Sequence, residues 1–489
     1  MWTNPPDLSG IAAGYYKIGA PPQNPKDGIS IPPTGSAVGI TVPSDGAWDI
    51  HFWLVDQAGN VDLSTKVTRA SALRYDGGPP STSSTILEGV QGQNGWYTSR
   101  VIIRLAATDS VSGVASMRYR IDGGSWVEAV ANASLSLTST GQHMVEYQAT
   151  DAAGNVEPIR QLPLKLDLAA PWPYFEPANR YQRQTSFPLD WNASDEATGS
   201  GRDGFELQVR DGRNGAWQAW GATNVPDTSG RFYGNLGHRY FFRMRARDNA
   251  GNLSSWVELP WGVYIDRVVN GDFAGGSFGA WQHSGPLAQS VLSTTSDPTG
   301  QTSFVAQLGS PDYGPNVPGL DIPSNSLGNV PVGSGQITQQ IRVPGLDVLD
   351  RPTLGLWYRI YTYDTAYAES LQKDADTLDA RLIGSNGEWL ALRDGLPYKD
   401  WQAGKFADLG WRYASVEVPP SWAGETATLS IENWNRIDGR LNTWSWVTDV
   451  RMWEPYRVYL PQLRGSGSQV GAQAAETAPT PTPSPDSLR

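Results

Sequence analysis

A short turn sequence, Asp-x-Ala-Gly-Asn, occurs three times in this chain at nearly constant spacing. The copies begin at Asp56, Asp151 and Asp248, which are 95 and 97 residues apart. An internal repeat of this kind indicates a chain built from tandem modules of similar fold. In each copy we expect the Asp to accept backbone N–H groups, the Gly to take positive φ and the Asn to tolerate the left-handed region. The repeat therefore predicts a structural turn in each module and not a ligand site.

Each turn is preceded by a run in which apolar and polar residues alternate, such as Trp48–Val55 and Tyr240–Arg247. Alternation of this length is typical of a half-buried strand. A second repeated element, a loop rich in Asp, Ser and Gly, lies upstream of each turn and precedes another strand-like run; Asp109–Val114 is one copy. Modules of about 100 residues with short strands and frequent turns are typical of β-sandwiches. The predicted modules are residues 1–75, 76–170 and 171–266.

The composition excludes several kinds of site. The 489 residues include 53 Gly and 36 Pro, which suit many turns, but no Cys and only 4 His. Without Cys there is no disulfide framework, thiolate metal site or thiol nucleophile. The net charge of −12 argues against nucleic acid and anionic membranes as partners, since both are bound through clustered Lys and Arg. No apolar run is long enough to predict membrane insertion.

The loop, the Tyr-containing strand and the Asp-x-Ala-Gly-Asn turn together resemble bacterial immunoglobulin-like and fibronectin type III-like modules. The resemblance covers roughly residues 1–266 and implies a secreted or surface protein. A predicted first strand precedes Trp191 in the third module, whereas Met1 alone precedes the corresponding Trp2. We therefore expect Met1 to lie inside a domain, with a signal peptide upstream of it and an extracellular or cell-surface location.

The pattern changes after Asp266, and strand-like runs separated by turn residues fill residues 267–458. This block opens with Asn270-Gly-Asp-Phe, has a late Gly410-Trp strand and closes with Trp444-Ser-Trp-Val-Thr-Asp-Val-Arg. The order of these motifs resembles a carbohydrate-binding-module-like jelly roll, also called galactose-binding-like. Residues 459–489 are rich in Pro, Thr and Ser and lack apolar bulk, which predicts a disordered tail. The predicted fold class is all-β: tandem immunoglobulin/fibronectin-like β-sandwiches followed by a β jelly roll and a disordered C-terminal tail.

The jelly-roll resemblance also implies a metal site. Acidic residues near both ends of such modules often help to hold a structural calcium, and here they are Asp272 and Asp449. Two features depart from the usual pattern, because Ala274 follows Phe273 in place of an acidic residue and Thr448 precedes Asp449 in place of a second Asp. Calcium takes about six to eight oxygen ligands, so two carboxylates make a weak site. No other cofactor is predicted.

Aromatic residues of the jelly roll are candidates for binding a sugar. In the runs Leu354–Tyr363 and Ala427–Trp434, alternation separates an aliphatic face from a face that carries aromatic and charged residues. Flat rings stack on the C–H face of a sugar, while charged groups bond its hydroxyls. In the alternative, Trp357 and Trp434 are covered by loops or belong to a second core layer. The predicted binding residues are Trp357, Arg359, Tyr361, Tyr363 and Trp434.

No catalytic residue is predicted. The run Gly275–Gly279 matches Gly-x-Ser-x-Gly, but it lacks the preceding strand and following helix that a nucleophile elbow requires. The leading hypothesis is a non-catalytic extracellular protein that binds polysaccharide or a cell-surface polymer through the jelly roll, with the sandwiches as spacers. One alternative is the accessory region of a secreted peptidase or glycosidase whose catalytic domain lies upstream. Another is a structural or adhesive surface protein whose jelly roll binds other proteins.

Overall fold

The structure is a computed structural model that describes residues 6–455, apart from 34–38, 223, 296–297, 299–302, 314–329, 403–404 and 438. The predicted tail, residues 459–489, lies outside the described residues. Apart from four short 3₁₀ helices, the regular structure in the described part is β-sheet, and almost all pairs are antiparallel. The predicted all-β fold class is confirmed. The described residues divide into two compact units, one within the ranges 1–172, 193–204 and 246–254 and the other within 173–192, 205–245 and 255–489.

The described residues up to Tyr75 form one antiparallel sheet in the order β2-β1-β3-β4. Tyr16 and Trp53 are its large buried side chains, and the indole Nε1 of Trp53 donates to the carbonyl of Pro25 at 3.0 Å. His51 is also buried, and its ring nitrogens bond Thr68 and the carbonyl of Gly19. The elements are β1 (Ile11–Ile18), β2 (Ile29–Ile31), β3 (Gly46–Asp56), a 3₁₀ helix (Leu63–Thr65) and β4 (Val67–Tyr75).

The second module is a sandwich of two sheets, in the orders β10-β7-β5 and β6-β12-β11-β8-β9. Alternate residues of each long strand point between the sheets, so that Val101, Ile103 and Leu105 of one sheet share a core with Val145 and Leu166 of the other. The strands are β5 (Ser81–Glu88), β6 (Trp96–Tyr97), β7 (Val101–Thr108), β8 (Val114–Ile121), β9 (Val127–Ala129), β10 (Asn132–Leu137), β11 (Gly141–Asp151) and β12 (Arg160–Leu166).

The third module is a second two-sheet sandwich, with sheets β13-β15-β18 and β14-β21-β19-β16-β17 and with β20 paired to β19. Its core is aromatic: the Phe232 ring lies 5.5 Å from that of Phe187 and 5.0 Å from that of Phe242. The strands are β13 (Trp172–Phe175), β14 (Tyr181–Gln182), β15 (Ser186–Ser194), β16 (Arg202–Asp211), β17 (Gln218–Ala219), β18 (Ser229–Tyr233), β19 (Arg239–Asp248), β20 (Val257–Glu258) and β21 (Val263–Ile265).

The jelly roll packs two five-stranded antiparallel sheets face to face. The first sheet has the order β22-β25-β32-β29-β30, the second has the order β23-β24-β33-β26-β31, and β27 pairs with β28 outside both. The core lies between them and includes Ile337, Leu382 and Leu429 of the first sheet with Leu356 and Val447 of the second. The strands are β22 (Gln282–Ser284), β23 (Gln289–Thr294), β24 (Ser303–Leu308), β25 (Gly333–Arg342), β26 (Thr353–Thr362), β27 (Tyr367–Ala368), β28 (Lys373–Asp374), β29 (Thr377–Gly384), β30 (Gly387–Asp394), β31 (Ala407–Glu417), β32 (Thr426–Asn435) and β33 (Thr443–Trp453). The 3₁₀ helices are Glu369–Leu371, Tyr398–Asp400 and Pro420–Trp422.

The repeated turn has the predicted chemistry at its Asp and Gly. In the second module, one carboxylate oxygen of Asp151 accepts the backbone N–H groups of Ala153, Gly154 and Asn155 at 2.7–2.9 Å. Gly154 has φ +96°, as predicted. The expected left-handed backbone at the Asn is wrong, because Asn155 is not among the positive-φ residues. The Asn acts through its side-chain amide, which donates to Asp151 and to the carbonyls of Asp76 and Gly78.

An aspartate just after β21 joins the third sandwich to the jelly roll. Asp266 is fully buried; its carboxylate accepts the hydroxyl of Tyr181 and the backbone N–H groups of Val268 and Met452. Burial opposes ionisation more strongly than these donors favour it, and the pKa of Asp266 is raised to about 6. The buried Asp266 carboxylate is therefore hydrogen-bonded both to the third sandwich and to the last strand of the jelly roll.

The Gly154→Val variant should destabilise the second sandwich. Valine is rarely tolerated at positive φ, so we expect a loss of about 1–3 kcal/mol. The control is Ala153→Val, at an exposed position in the same turn, which should change stability by less than about 0.5 kcal/mol. Calorimetric unfolding of the full chain measures both. Identical transitions for the two variants would contradict the role of the glycine.

The Asp266→Asn variant should change how stability depends on pH. Since the folded-state pKa of Asp266 lies above its ordinary value of 3.8, the folded state binds the proton more tightly. The proton on Asp266 therefore adds to the free energy of unfolding most strongly below pH 4. This stabilisation, about 2–3 kcal/mol in all, is lost as the pH rises to 6. The Asn variant cannot titrate, so the wild type should lose more stability than the variant between pH 4.5 and pH 7. Thermal unfolding of both proteins at the two pH values tests this, and parallel pH profiles would contradict it.

Candidate functional site

The alternation predicted for the two jelly-roll strands is correct, but their combination into one face is wrong. Trp357 and Arg359 of β26 point away from the core, and so does Trp434 of β32. However, β26 belongs to the second sheet and β32 to the first. The side chains therefore lie on opposite outer faces of the sandwich and do not form a single site. Alternation assigns a residue to one face of its strand but does not say in which sheet the strand lies.

Trp434 belongs to a charged network on the outer face of the first sheet. Its indole Nε1 donates to Glu432 at 2.7 Å, and the guanidinium of Arg436 lies 4.5 Å from its ring centroid. The guanidinium also bonds Asp379 of the neighbouring strand β29 at 2.6 Å. Because an arginine covers one face of the indole, Trp434 is poorly placed to stack on a sugar.

Asp379 is the centre of this network. It is fully buried and pairs with Arg381, Arg393 and Arg436. Burial opposes its ionisation, but hydrogen bonds from Arg393 and the charge of Arg436 outweigh that effect and hold the pKa of Asp379 below its ordinary value. Removal of one partner from such a cluster is costly, since it leaves a buried charge uncompensated. The network cross-links strands of the first sheet.

The outer face of the second sheet is rich in aromatic side chains. The sheet register places Trp357 beside Tyr413 of β31, Arg359 between Trp411 and Trp446, and Tyr361 beside Trp444 of β33. Phe406, just before β31, packs over this end of the sheet. We name this surface the aromatic face. Its residues are Trp357, Arg359, Tyr361, Phe406, Asp408, Trp411, Tyr413, Trp444 and Trp446.

The aromatic face has two buried rings and several rings that are partly exposed to solvent. Tyr361 and Trp444 are each 8% exposed and lie nearly parallel with centroids 5.2 Å apart; burial raises the pKa of Tyr361 to about 12. Trp446 meets Tyr361 edge to face at 5.1 Å and lies 6.3 Å from Trp411. Phe406 is 45% exposed. The buried pair therefore supports rings that reach the surface.

Tyr363, the last predicted binding residue, lies at the margin of this surface. Its half-buried ring lies 5.3 Å from that of Phe406, and its backbone carbonyl accepts the indole N–H of Trp401 at 3.0 Å. Burial raises the pKa of its hydroxyl. The segment with Trp401 thus covers part of this end of the aromatic face.

An ion pair between Arg359 and Asp408 lies among these rings. Both Arg359 Nε and its terminal amino group bond the carboxylate of Asp408, with the Nε contact at 2.9 Å. The hydrogen bond from Arg359 lowers the pKa of Asp408, so that both groups are charged at neutral pH. The guanidinium also lies 5.1 Å from the centroid of Tyr361. Rings beside a fixed, mutually neutralised donor and acceptor can bind a ligand that has both apolar C–H faces and hydroxyls.

The structure gives the two predicted calcium ligands another partner. Arg183 of the third sandwich forms an ion pair with Asp449, and its Nε lies 3.6 Å from Asp272. Arg451 lies 3.7 Å from the second oxygen of Asp449. Guanidinium groups thus supply the positive charge that a cation would bring, and calcium at this position stays a prediction.

Two other groups of carboxylates have the spacing of cation ligands. Asp76, Asp109 and Asp151 form one, and Asp167, Asp195 and Asp248 form the other, with the ligand oxygens of each group within 4.8 Å of one another. We name them junction triads. In each, the first Asp directly follows the last strand of a module and the last begins an Asp-x-Ala-Gly-Asn turn.

In the second triad, burial and mutual repulsion of the carboxylates oppose their ionisation. Asp167 and Asp248 are fully buried. Burial and the neighbouring charges of Asp167 and Asp248 raise the pKa of Asp195, and one of its oxygens is buried without a hydrogen-bond partner among the described residues. Burial also raises the pKa of Asp248. Three oxygens in this arrangement could hold a divalent cation such as calcium, with backbone carbonyls or water as further ligands.

Several of these residues were not found from the sequence. Trp411, Trp444 and Trp446 lie in the two motifs that carried the jelly-roll resemblance, and their pairing with β26 was the missing information. Asp76 and Asp167 stand immediately before the Gly-Gly-Pro and Leu-Ala-Ala-Pro segments that separate modules. Their repetition one module apart was a readable signal for the triads.

The chain has limited similarity to known proteins. No family model matches it. It is 27% identical over 237 residues to exoglucanase B of Cellulomonas fimi, an alignment that covers 44% of this chain and 20% of the exoglucanase. The chain thus spans about a fifth of the length of this curated relative. Among the described residues, no helix is long and apolar enough to cross a membrane.

Three solved structures align with the chain at low identity. One comes from a study of the promiscuous specificity of carbohydrate-binding modules of the β-sandwich superfamily (11% identity, 78% of this chain, 100% of that chain, TM-score 0.21). Another contains fibronectin(III)-like modules of Clostridium thermocellum CbhA (13%, 37% of this chain, 94% of that chain, TM-score 0.20). The third is the K3 cleaved adhesin domain of Lys-gingipain from Porphyromonas gingivalis (16%, 38% of this chain, 98% of that chain, TM-score 0.23).

The junction triads predict a stabilising effect of calcium. Calcium should raise the unfolding temperature of the full chain, because a bound cation offsets the repulsion among the three carboxylates. Asp195→Asn should raise the unfolding temperature in the presence of a chelator and reduce the increase caused by calcium. The control is Asp190→Asn, at an exposed position of β15. Equal calcium responses in the wild type and both variants would show that the second triad holds no ion.

Proposed function

We propose that this chain is a non-catalytic, carbohydrate-binding part of an extracellular protein, and that its jelly roll binds a polysaccharide chain on the aromatic face. The observation that carries the proposal is the cluster of rings around one internally neutralised ion pair, Arg359–Asp408. The preceding sandwiches act as spacers for this module.

The aromatic face offers the contacts that a sugar ring needs. The accessible parts of Phe406, Trp411 and Trp446 can cover the C–H face of a pyranose. The Arg359–Asp408 pair can exchange hydrogen bonds with its hydroxyls. Because the ion pair has no net charge, the face favours a neutral polysaccharide. A single site of this size should bind with a dissociation constant of roughly micromolar to millimolar.

The sequence relationship to a glycoside hydrolase supports an accessory role. The relative is named an exoglucanase, and an accessory module that binds polysaccharide would keep such an enzyme on its substrate. This favours the predicted alternative of a hydrolase accessory region over a purely structural surface protein. In either case the partner is a polysaccharide or cell-surface polymer, with other surface proteins as further candidates.

Truncation of accessible rings should weaken polysaccharide binding. Phe406→Ala and Trp446→Ala should each cost about 1–3 kcal/mol of binding free energy, by analogy with bases that stack on aromatic side chains. The matched control is Trp434→Ala, which removes an indole from the opposite outer face. Affinity electrophoresis of the full chain against soluble β-glucan, xylan and mannan measures retardation for each variant.

Fold integrity is checked by circular dichroism, and the exposure of Phe406 makes its variant the safer test of binding. Retardation that is lost in Phe406→Ala and Trp446→Ala but kept in Trp434→Ala supports the proposal. Loss of retardation in Trp434→Ala alone would place the site on the first sheet. No retardation of the folded wild type by any of the three polymers would contradict carbohydrate binding of this class.

A further inference from the structure

A second surface, on the third sandwich, has a different chemistry. On the outer face of the sheet that contains β16 and β19, three arginines alternate with three aromatic rings. We name this set the Arg–Trp column. Its members, in spatial order, are Phe241, Arg210, Trp217, Arg243, Trp256 and Arg245, with guanidinium-to-centroid distances of 4.4–4.9 Å.

The ring faces in this column are already covered. Arg243 lies between the indoles of Trp217 and Trp256, at 4.4 and 4.5 Å from their centroids. Arg210 lies between Trp217 and Phe241 in the same way. A sugar therefore cannot stack on the enclosed faces, which distinguishes the column from the aromatic face. The guanidinium N–H groups and the ring edges remain accessible. The guanidinium groups carry full positive charge, and the ring edges carry partial positive charge.

The acidic groups near the column leave its central charge uncompensated. Arg245 is held by Glu206 through two hydrogen bonds of 2.9 and 2.6 Å. Arg210 has only a loose contact of 3.8 Å with Glu258, whose side chain is 49% exposed. Arg243 donates through Nε to the neutral side chain of Gln208 at 2.9 Å, and no carboxylate among the described residues pairs with it. The two indoles hold its planar group in place, so little conformational entropy remains to be lost on binding.

From this geometry we propose that the Arg–Trp column binds carboxylate groups of an acidic polysaccharide, with Arg243 as its central donor and Arg210 beside it. A guanidinium donates two parallel hydrogen bonds to a carboxylate. Several guanidinium groups in a row suit a polymer that carries repeated carboxylates. Glu258 occupies the position of one such carboxylate and competes with the ligand. This site is independent of the neutral-sugar site proposed for the aromatic face.

The test uses the full chain and polygalacturonate as the probe, by isothermal titration at low and moderate salt. Arg243→Gln should weaken binding about tenfold, the loss expected for one charge-assisted pair. The matched control is Arg231→Gln, which removes an exposed arginine from β18 of the other sheet and should change affinity less than twofold. Higher salt should weaken binding of the wild type, since the contacts are ionic.

A second variant keeps the test decisive if Arg243→Gln fails to fold. Glu258→Gln removes the exposed competing carboxylate and should tighten polygalacturonate binding. The proposal is overturned if the folded wild type does not bind polygalacturonate, or if Arg231→Gln weakens binding as much as Arg243→Gln. It is also overturned if Glu258→Gln leaves the affinity unchanged, or if polyphosphate binds more tightly than polygalacturonate. Loss of neutral-glucan binding in Phe406→Ala, with polygalacturonate binding retained, would separate this site from the aromatic face.

Discussion

The aspartate side chain of each Asp-x-Ala-Gly-Asn turn closes that turn, and in the second and third modules the asparagine of the turn also bonds the linker before the module. In the second module, Asp151 fixes the turn through three backbone N–H groups and receives the amide of Asn155 at 2.8 Å. That amide also reaches the carbonyls of the segment before the module. In the third module, Asp248 and Asn252 repeat the arrangement, with Asp167 and Ala169 as the carbonyl partners. The same few atoms therefore complete a strand connection and position the adjoining linker.

This arrangement explains why the fold was easier to predict than the site. The turn is local, since its donors and acceptors lie within four residues, and strand alternation is local in the same sense. Both can be read from the sequence. The pairing of β26 with β31 and β33 depends on residues far apart in the chain, and nothing in the alternation of β26 specifies it. For that reason the sequence predicts that Trp357 faces outward but does not identify its neighbour Tyr413.

The prediction for Trp434 has the same limit, because the alternation of a strand does not specify its neighbouring strands. Its strand was read correctly, yet its surroundings are set by β29, whose Asp379 gathers three arginines. An indole beside a sugar site and an indole held under a guanidinium look alike in sequence. The difference is whether a cation covers the ring. By this criterion the aromatic face keeps the ring of Phe406 exposed, whereas the first sheet and the third sandwich use indoles to hold arginines.

The three module ends also differ in the groups that receive their terminal aspartates. Asp76 and Asp167 meet further carboxylates, whereas Asp266 meets a tyrosine hydroxyl and backbone N–H groups, including that of Met452 in the last strand of the jelly roll. The connection at Asp266 is thus completed by groups of the polypeptide itself. Its mechanical stiffness should therefore depend on pH, through the protonation of this one buried carboxyl.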